Sequence, residues 1–122
     1  MTLPDPVLLG IQQFNRREFF ECHETIEAVW IEEEGAIRDL YQGVIQIAVA
    51  CHHILHGNHR GASNVIVRGR HKLEDSLSLD CGIDIAGLIA QAERCEAELE
   101  CLGPGKLSEF DPALFPTIQL LK

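Results

Sequence analysis

His23, Glu27 and Trp30 recur at one-turn spacing in the run from Phe19 to Trp30, so a helix through this segment stacks them on one side. With His23 as zero and about 100° per residue, Phe19 falls near −40°, Trp30 near −20°, Glu27 near +40° and Phe20 near +60°. The spacing predicts an imidazole and a carboxylate inside an aromatic, core-facing stripe, while Glu21 and Glu24 fall on the solvent side. A titratable pair walled by Phe and Trp needs partners, because a buried charge without one is strongly destabilising or is neutralised by a shifted pKa.

Partners are available on the next apolar segment. Gln42, Gln46, Val49, His53 and His56 fall within about 40° of one line on an otherwise apolar helix, whereas His52 sits near −80° and is less well aimed. A short connection makes the two segments antiparallel neighbours, which turns this polar stripe toward His23 and Glu27. Two imidazoles and a carboxylate with an open position are a recurrent divalent-metal set. His23, Glu27 and His53 are therefore candidate ligands of a divalent metal ion, with Trp30, Gln42, Gln46 and Phe20 as the supporting shell and Gln46 or a water completing it. Three other readings fit the same residues. Glu27 accepting from an imidazole and from the Gln46 amide would be a structural network that fixes helix register in a scaffold or interaction domain. A cavity between the two helices would bind a small molecule. The same groups could also serve general acid–base chemistry. The string His23-Glu24-Thr25-Ile26-Glu27 is not the zincin H-E-x-x-H, because Glu27 replaces its second His, and no peptidase or other reaction follows from it.

The elements that must position these residues are helical. Asp5-Pro6 reads as the N-cap and first position of a short helix carrying Val7, Leu8, Ile11 and Phe14. Asn15 with Glu18 reads as a capping box for a second helix, which Gly35 stops. The third, about residues 36–57, is apolar on most of its circumference and belongs at the centre, with Val44, Ala48, Cys51 and Leu55 nearly inaccessible. Gly57-Asn58 ends it. A fourth helix begins near Gly61, a fifth is capped by Asp84 and broken by Gly103-Pro104-Gly105, and the Pro-rich tail with Phe110, Leu114, Phe115 and Ile118 docks across the bundle. The fold class is all-α: an irregular bundle of about five helices around one central apolar helix.

A chain of 122 residues, 46% apolar, suits one domain covering 1–122. A formal charge of −9 opposes phosphate backbones and anionic membranes, so nucleic-acid binding is disfavoured. No apolar run reaches the roughly 18–20 residues of a membrane span. The opening MTLPDPVLLG lacks the features of a signal peptide, and the five Cys form no C-x-x-C pair; both point to reduced thiols and the cytoplasm. The acids from Glu18 to Glu34 and the bases Arg60, Arg68, Arg70 and Lys72 are expected to face each other from neighbouring helices, with Glu32-Glu33-Glu34 pairing with Arg38 or the basic helix. A homo-oligomer or a protein partner is left open.

Phe14-Asn15, Phe20-Glu21-x-His23-Glu24-x-x-Glu27-x-x-Trp30, Tyr41-Gln42-Gly43-x-Ile45-Gln46-x-Ala48, His53, Gly57-Asn58 and Gly61-Ala62 together resemble the prokaryotic family called domain of unknown function 309, over about residues 7–77. The resemblance implies an all-helical fold with no assigned reaction. The family's H-x-x-x-E-x-x-W or Y motif, matched here by His23, Glu27 and Trp30, has been suggested to bind metal; it implies nothing about His53.

Overall fold

Leu40, Val44, Ile47, Ala48, Cys51 and Ile54 follow one another at three- and four-residue steps, and they place one helix at the centre of the bundle. The structure, a computed structural model, describes residues 3–121. Five helices run in chain order: α1 (Asp5–Asn15), α2 (Phe19–Glu32), α3 (Arg38–Leu55), α4 (His59–Asp75) and α5 (Ile85–Leu102). Two short 3-10 turns, Pro104–Glu109 and Pro112–Leu114, carry the tail back over the bundle. Among the described residues there is no strand, only an isolated antiparallel bridge between Ile83 and Leu120. None of the described helices is long and apolar enough to cross a membrane.

α3 packs against α2 on one side and α4 on the other; α1 lies on α2, and α5 lies on α4. Buried side chains from all five helices, with Leu107, Phe110, Phe115 and Ile118 of the tail, form one continuous apolar core. Val44, Ala48 and Cys51 are buried as expected. Leu55 is not: it is the last residue of α3 and is 52% exposed, because the chain turns away at Gly57, in the left-handed region at φ 75°, before a neighbour can cover it. α3 and α4 approach most closely where Gly43 faces Gly69, so that a Cβ on either would lie 3.1–3.2 Å from the other's carbonyl oxygen.

Of the three expected caps, at Asp5, Asn15 and Asp84, only Asp84 forms; Asp5 is the first residue of α1 and no side chain caps that helix, while Asn58, expected only to end α3, caps α4. Asn58 accepts from the amide of Gly61 at 2.9 Å to start α4, two residues earlier than expected, and Asp84 accepts from Gly87 at 3.0 Å to start α5. Asn15 caps nothing. It is the final residue of α1, and its side chain instead clamps the tail, donating to the Ile118 carbonyl at 3.0 Å and accepting from the Ile118 amide at 2.7 Å. Arg17, at φ 65°, makes the turn into α2 and donates to the Pro112 carbonyl at 2.9 Å. Replacing Asn15 with Ala should therefore cost about 1–2 kcal/mol, because both backbone groups of the buried Ile118 lose their partner. Urea unfolding checks this, and an unchanged midpoint would show that the clamp is idle.

The acidic and basic segments do not face each other. α2 and α4 lie on different sides of α3, so Arg70 pairs with Glu96 of α5 and Glu74 of its own helix, and Lys72 reaches Asp39 of α3 at 3.4 Å. Arg38 sits over the Trp30 ring, 4.1 Å from its centroid, rather than pairing with the Glu32–Glu34 run, whose Glu33 accepts from the Gly35 amide at 3.0 Å.

Candidate functional site

One helical turn on α2 brings His23 Nε2 to 2.8 Å from Glu27 Oε2, a contact that the i, i+4 spacing dictates. The pair is not buried as the sequence suggested: the side chains are 28% and 44% exposed. The stripe that α2 buries is Phe19, Cys22 and Ile26, centred roughly 70° from His23 on the wheel. Phe20, taken from sequence as part of the site's wall, is itself 49% exposed. It contacts the rings of His23 and His52, with centroids at 6.1 and 5.7 Å.

Glu27 also faces α3. With Trp30 of α2 and Gln42, Ile45 and Gln46 of α3 it lines a cavity of about 150 Å³. Trp30, Gln42 and Gln46 thus come together beside Glu27, and Ile45 completes the lining. Three solvent-inaccessible side-chain polar atoms have no hydrogen-bond partner among the described residues: Gln13 Oε1, Trp30 Nε1 and Gln46 Oε1. The last two belong to residues lining this cavity. One is a donor, the other an acceptor, and leaving either unmatched costs about 1–3 kcal/mol.

His53 lies away from this cavity. Its Nδ1 accepts from the Asn58 amide nitrogen at 3.3 Å, and its ring packs beside Gly61 at the turn between α3 and α4. His23, Glu27 and His53 therefore do not form the expected three-ligand set, and among the described residues no three His, Cys, Asp or Glu side chains are grouped to hold one ion. A residue near the end of α3 follows the turn out of the bundle, whatever its angle on the wheel. The histidines that do meet are His52 and His56, with ring centroids 4.1 Å apart. His56 Nδ1 donates to the His52 carbonyl at 2.9 Å. Partial burial, then the neighbouring His56 and His53, lower the pKa of His52 and keep its ring neutral at pH 7. Their H-x-x-x-H spacing is visible in the sequence, but His52 lies near −80° from the line of Gln42 and Gln46 and so falls outside the polar stripe.

Residues 7–65, which run from α1 into α4 and include the cavity and His23, His52, His53 and His56, match the model of the family described as Domain of unknown function (DUF309). Over 73 residues the chain is 37% identical to the uncharacterised protein YpuF of Bacillus subtilis (strain 168), covering 54% of this chain and 42% of YpuF. Over 95 residues it is 26% identical to an uncharacterised protein of Aquifex aeolicus (strain VF5), covering 77% of this chain and 28% of that protein. The chain thus spans less than half the length of both relatives, and neither carries a functional name. No solved structure matches.

Proposed function

We propose that this chain, whose residues 7–65 carry the DUF309 domain, is a binding module for a small polar molecule held between α2 and α3. The observation that carries the reading is the pairing, around one cavity, of an inaccessible donor on Trp30 and an inaccessible acceptor on Gln46, with the Glu27 carboxylate at its edge. At about 150 Å³ the cavity is below the roughly 300–1,000 Å³ of drug-sized pockets. The ligand is correspondingly small and carries both an acceptor for the indole N–H and N–H donors for Gln46 and Glu27, as a primary amide or an amidine does. His23 orients Glu27 through their 2.8 Å contact.

The single Trp makes the test direct, since its indole N–H gives one resonance. Titrating acetamide, urea and acetamidine should shift that resonance saturably, and Glu27→Gln should weaken acetamidine binding by about tenfold, the loss of one charge-assisted hydrogen bond. If none of the three moves the indole signal, the cavity is not a ligand site. A divalent ion on the His23–Glu27 pair is the second reading, favoured by their 2.8 Å contact; it would have two protein ligands and water for the rest. Zn²⁺ would then perturb the His23 imidazole signals in the wild type and not in Glu27→Gln.

A further inference from the structure

We infer that His52 and His56 form a second, independent site: a two-imidazole chelate for a divalent transition-metal ion, preferring Cu²⁺ over Ni²⁺ and Zn²⁺. His52 lies in the last turn of α3 and His56, four residues on, is the C-cap residue, so their rings project from the same side of the helix end, and the centroids stand 4.1 Å apart with 33° between the planes. Two imidazole nitrogens on one ion at about 2.0–2.1 Å each stand roughly 3 Å apart, which puts their ring centroids about 4.5–5 Å apart, and small ring rotations from the observed 4.1 Å supply that. The hydrogen bond from His56 Nδ1 to the His52 carbonyl places the proton on Nδ1 and leaves Nε2 with its lone pair. A backbone carbonyl fixing the tautomer in this way is the outer-shell arrangement that metal-binding histidines use.

The surroundings fit an ion held partly by water. His52 and His56 line an open groove of about 320 Å³ with Arg17, Phe19, Phe20, Glu21 and Leu55. Glu21 acts electrostatically on His52 and adds negative charge to the groove, while Arg17 opposes it. With no third His, Cys, Asp or Glu grouped with them among the described residues, water fills the remaining positions and the ion stays exchangeable. Imidazole donors select the later first-row ions, with Cu²⁺ the tightest, and discriminate against Mg²⁺ and Ca²⁺, which prefer oxygen. The site shares no ligand with the His23–Glu27 pair and does not depend on the cavity between α2 and α3.

Titrating the untagged full chain with CuCl₂, followed by electron paramagnetic resonance, tests this. The wild type should show a Cu²⁺ signal with coupling to two equivalent nitrogens, and His52→Ala or His56→Ala should each weaken binding by roughly tenfold or more, because the second imidazole no longer binds intramolecularly. His56→Gln should behave the same way while keeping side-chain bulk, and circular dichroism verifies that each variant remains helical. His53→Ala and His23→Ala should leave the affinity within about twofold. Unchanged binding in both His52→Ala and His56→Ala overturns the inference. So does a loss that tracks His23→Ala or Glu27→Gln instead, which would put the ion on the α2 pair.

Discussion

Replacing Gly69 with Leu should remove about 3 kcal/mol or more of stability, read as a large fall in the urea midpoint, while Gly69→Ala should stay within about 1 kcal/mol of the wild type. A Cβ at position 69 would lie 2.9 Å from Ile47 Cδ1, 3.1 Å from Gln46 Cβ and 3.1 Å from the Gly43 carbonyl oxygen. The Ile47 methyl group can rotate aside, but the carbonyl moves only if α3 moves. Ala meets this crowding with a single carbon and gains about 1 kcal/mol of helix propensity over Gly, so the two effects nearly offset. Leu gains nearly the same propensity but brings three more carbons into a contact already closed by Gly43, and the overpacking outweighs that gain. Because α3 packs against both α2 and α4, prying it away from α4 disturbs the whole bundle and shifts Gln46 in the cavity. A Gly69→Leu protein with a midpoint near that of the wild type would mean that α3 and α4 do not pack tightly at Gly43 and Gly69.

Gly69 also shows what the sequence made legible. The apolar circumference of α3 named the central helix, because a helix apolar all round but for one narrow polar stripe belongs in the middle of a bundle, and ten of its residues are buried. The glycines at 57 and 103 and the caps at Asn58 and Asp84 marked helix ends through local chemistry that needs no tertiary knowledge. What stayed hidden depended on distant partners. Asn15 has the composition of a cap and the position of a cap, yet its amide is taken by Ile118, 103 residues away. The face-to-face charge pairing failed for a similar reason: helix order along the chain does not say which helices share a side of the central one.

The site was half legible. Spacing was enough to pair His23 with Glu27 and to put Gln42 and Gln46 opposite Trp30, since each of those steps stays within one helix or one antiparallel neighbour. The wheel misjudged burial because it weighted aromatic residues equally, and Phe20 and Trp30 pulled the apparent core direction toward His23. His53 was misassigned because an angle on a wheel carries no axial coordinate. On an 18-residue helix of about 27 Å, a residue near one end can share the angle of Gln42 and lie far from it.

Raising the pH from 7.5 to 10 should cost the protein about 4 kcal/mol, a large share of the 5–15 kcal/mol typical of a whole domain. Cys22, Cys51 and Cys95 are fully buried, and burial pushes Cys22 and Cys95 up to about 12 and Cys51 well above its ordinary range. Cys95 also donates its S–H to the Leu114 carbonyl at 3.2 Å, a contact only the protonated thiol can make. The sign follows from these raised values. Above about pH 9 the unfolded chain releases these protons while the folded chain keeps them, so stability is complete below pH 9 and falls progressively up to about 12. At pH 10 each thiol contributes about 1.4 kcal/mol to the loss. Tyr41, raised by burial and then by Glu33, pulls the same way. Urea midpoints at the two pH values measure the drop, and Cys51→Ala should shrink it by about a third of the thiol share, its own cavity cost being the same at both. A triple Cys→Ala variant at positions 22, 51 and 95 should keep only the part due to Tyr41. If the triple variant lost as much stability as the wild type between pH 7.5 and 10, buried thiols would not be the groups that limit the fold in base.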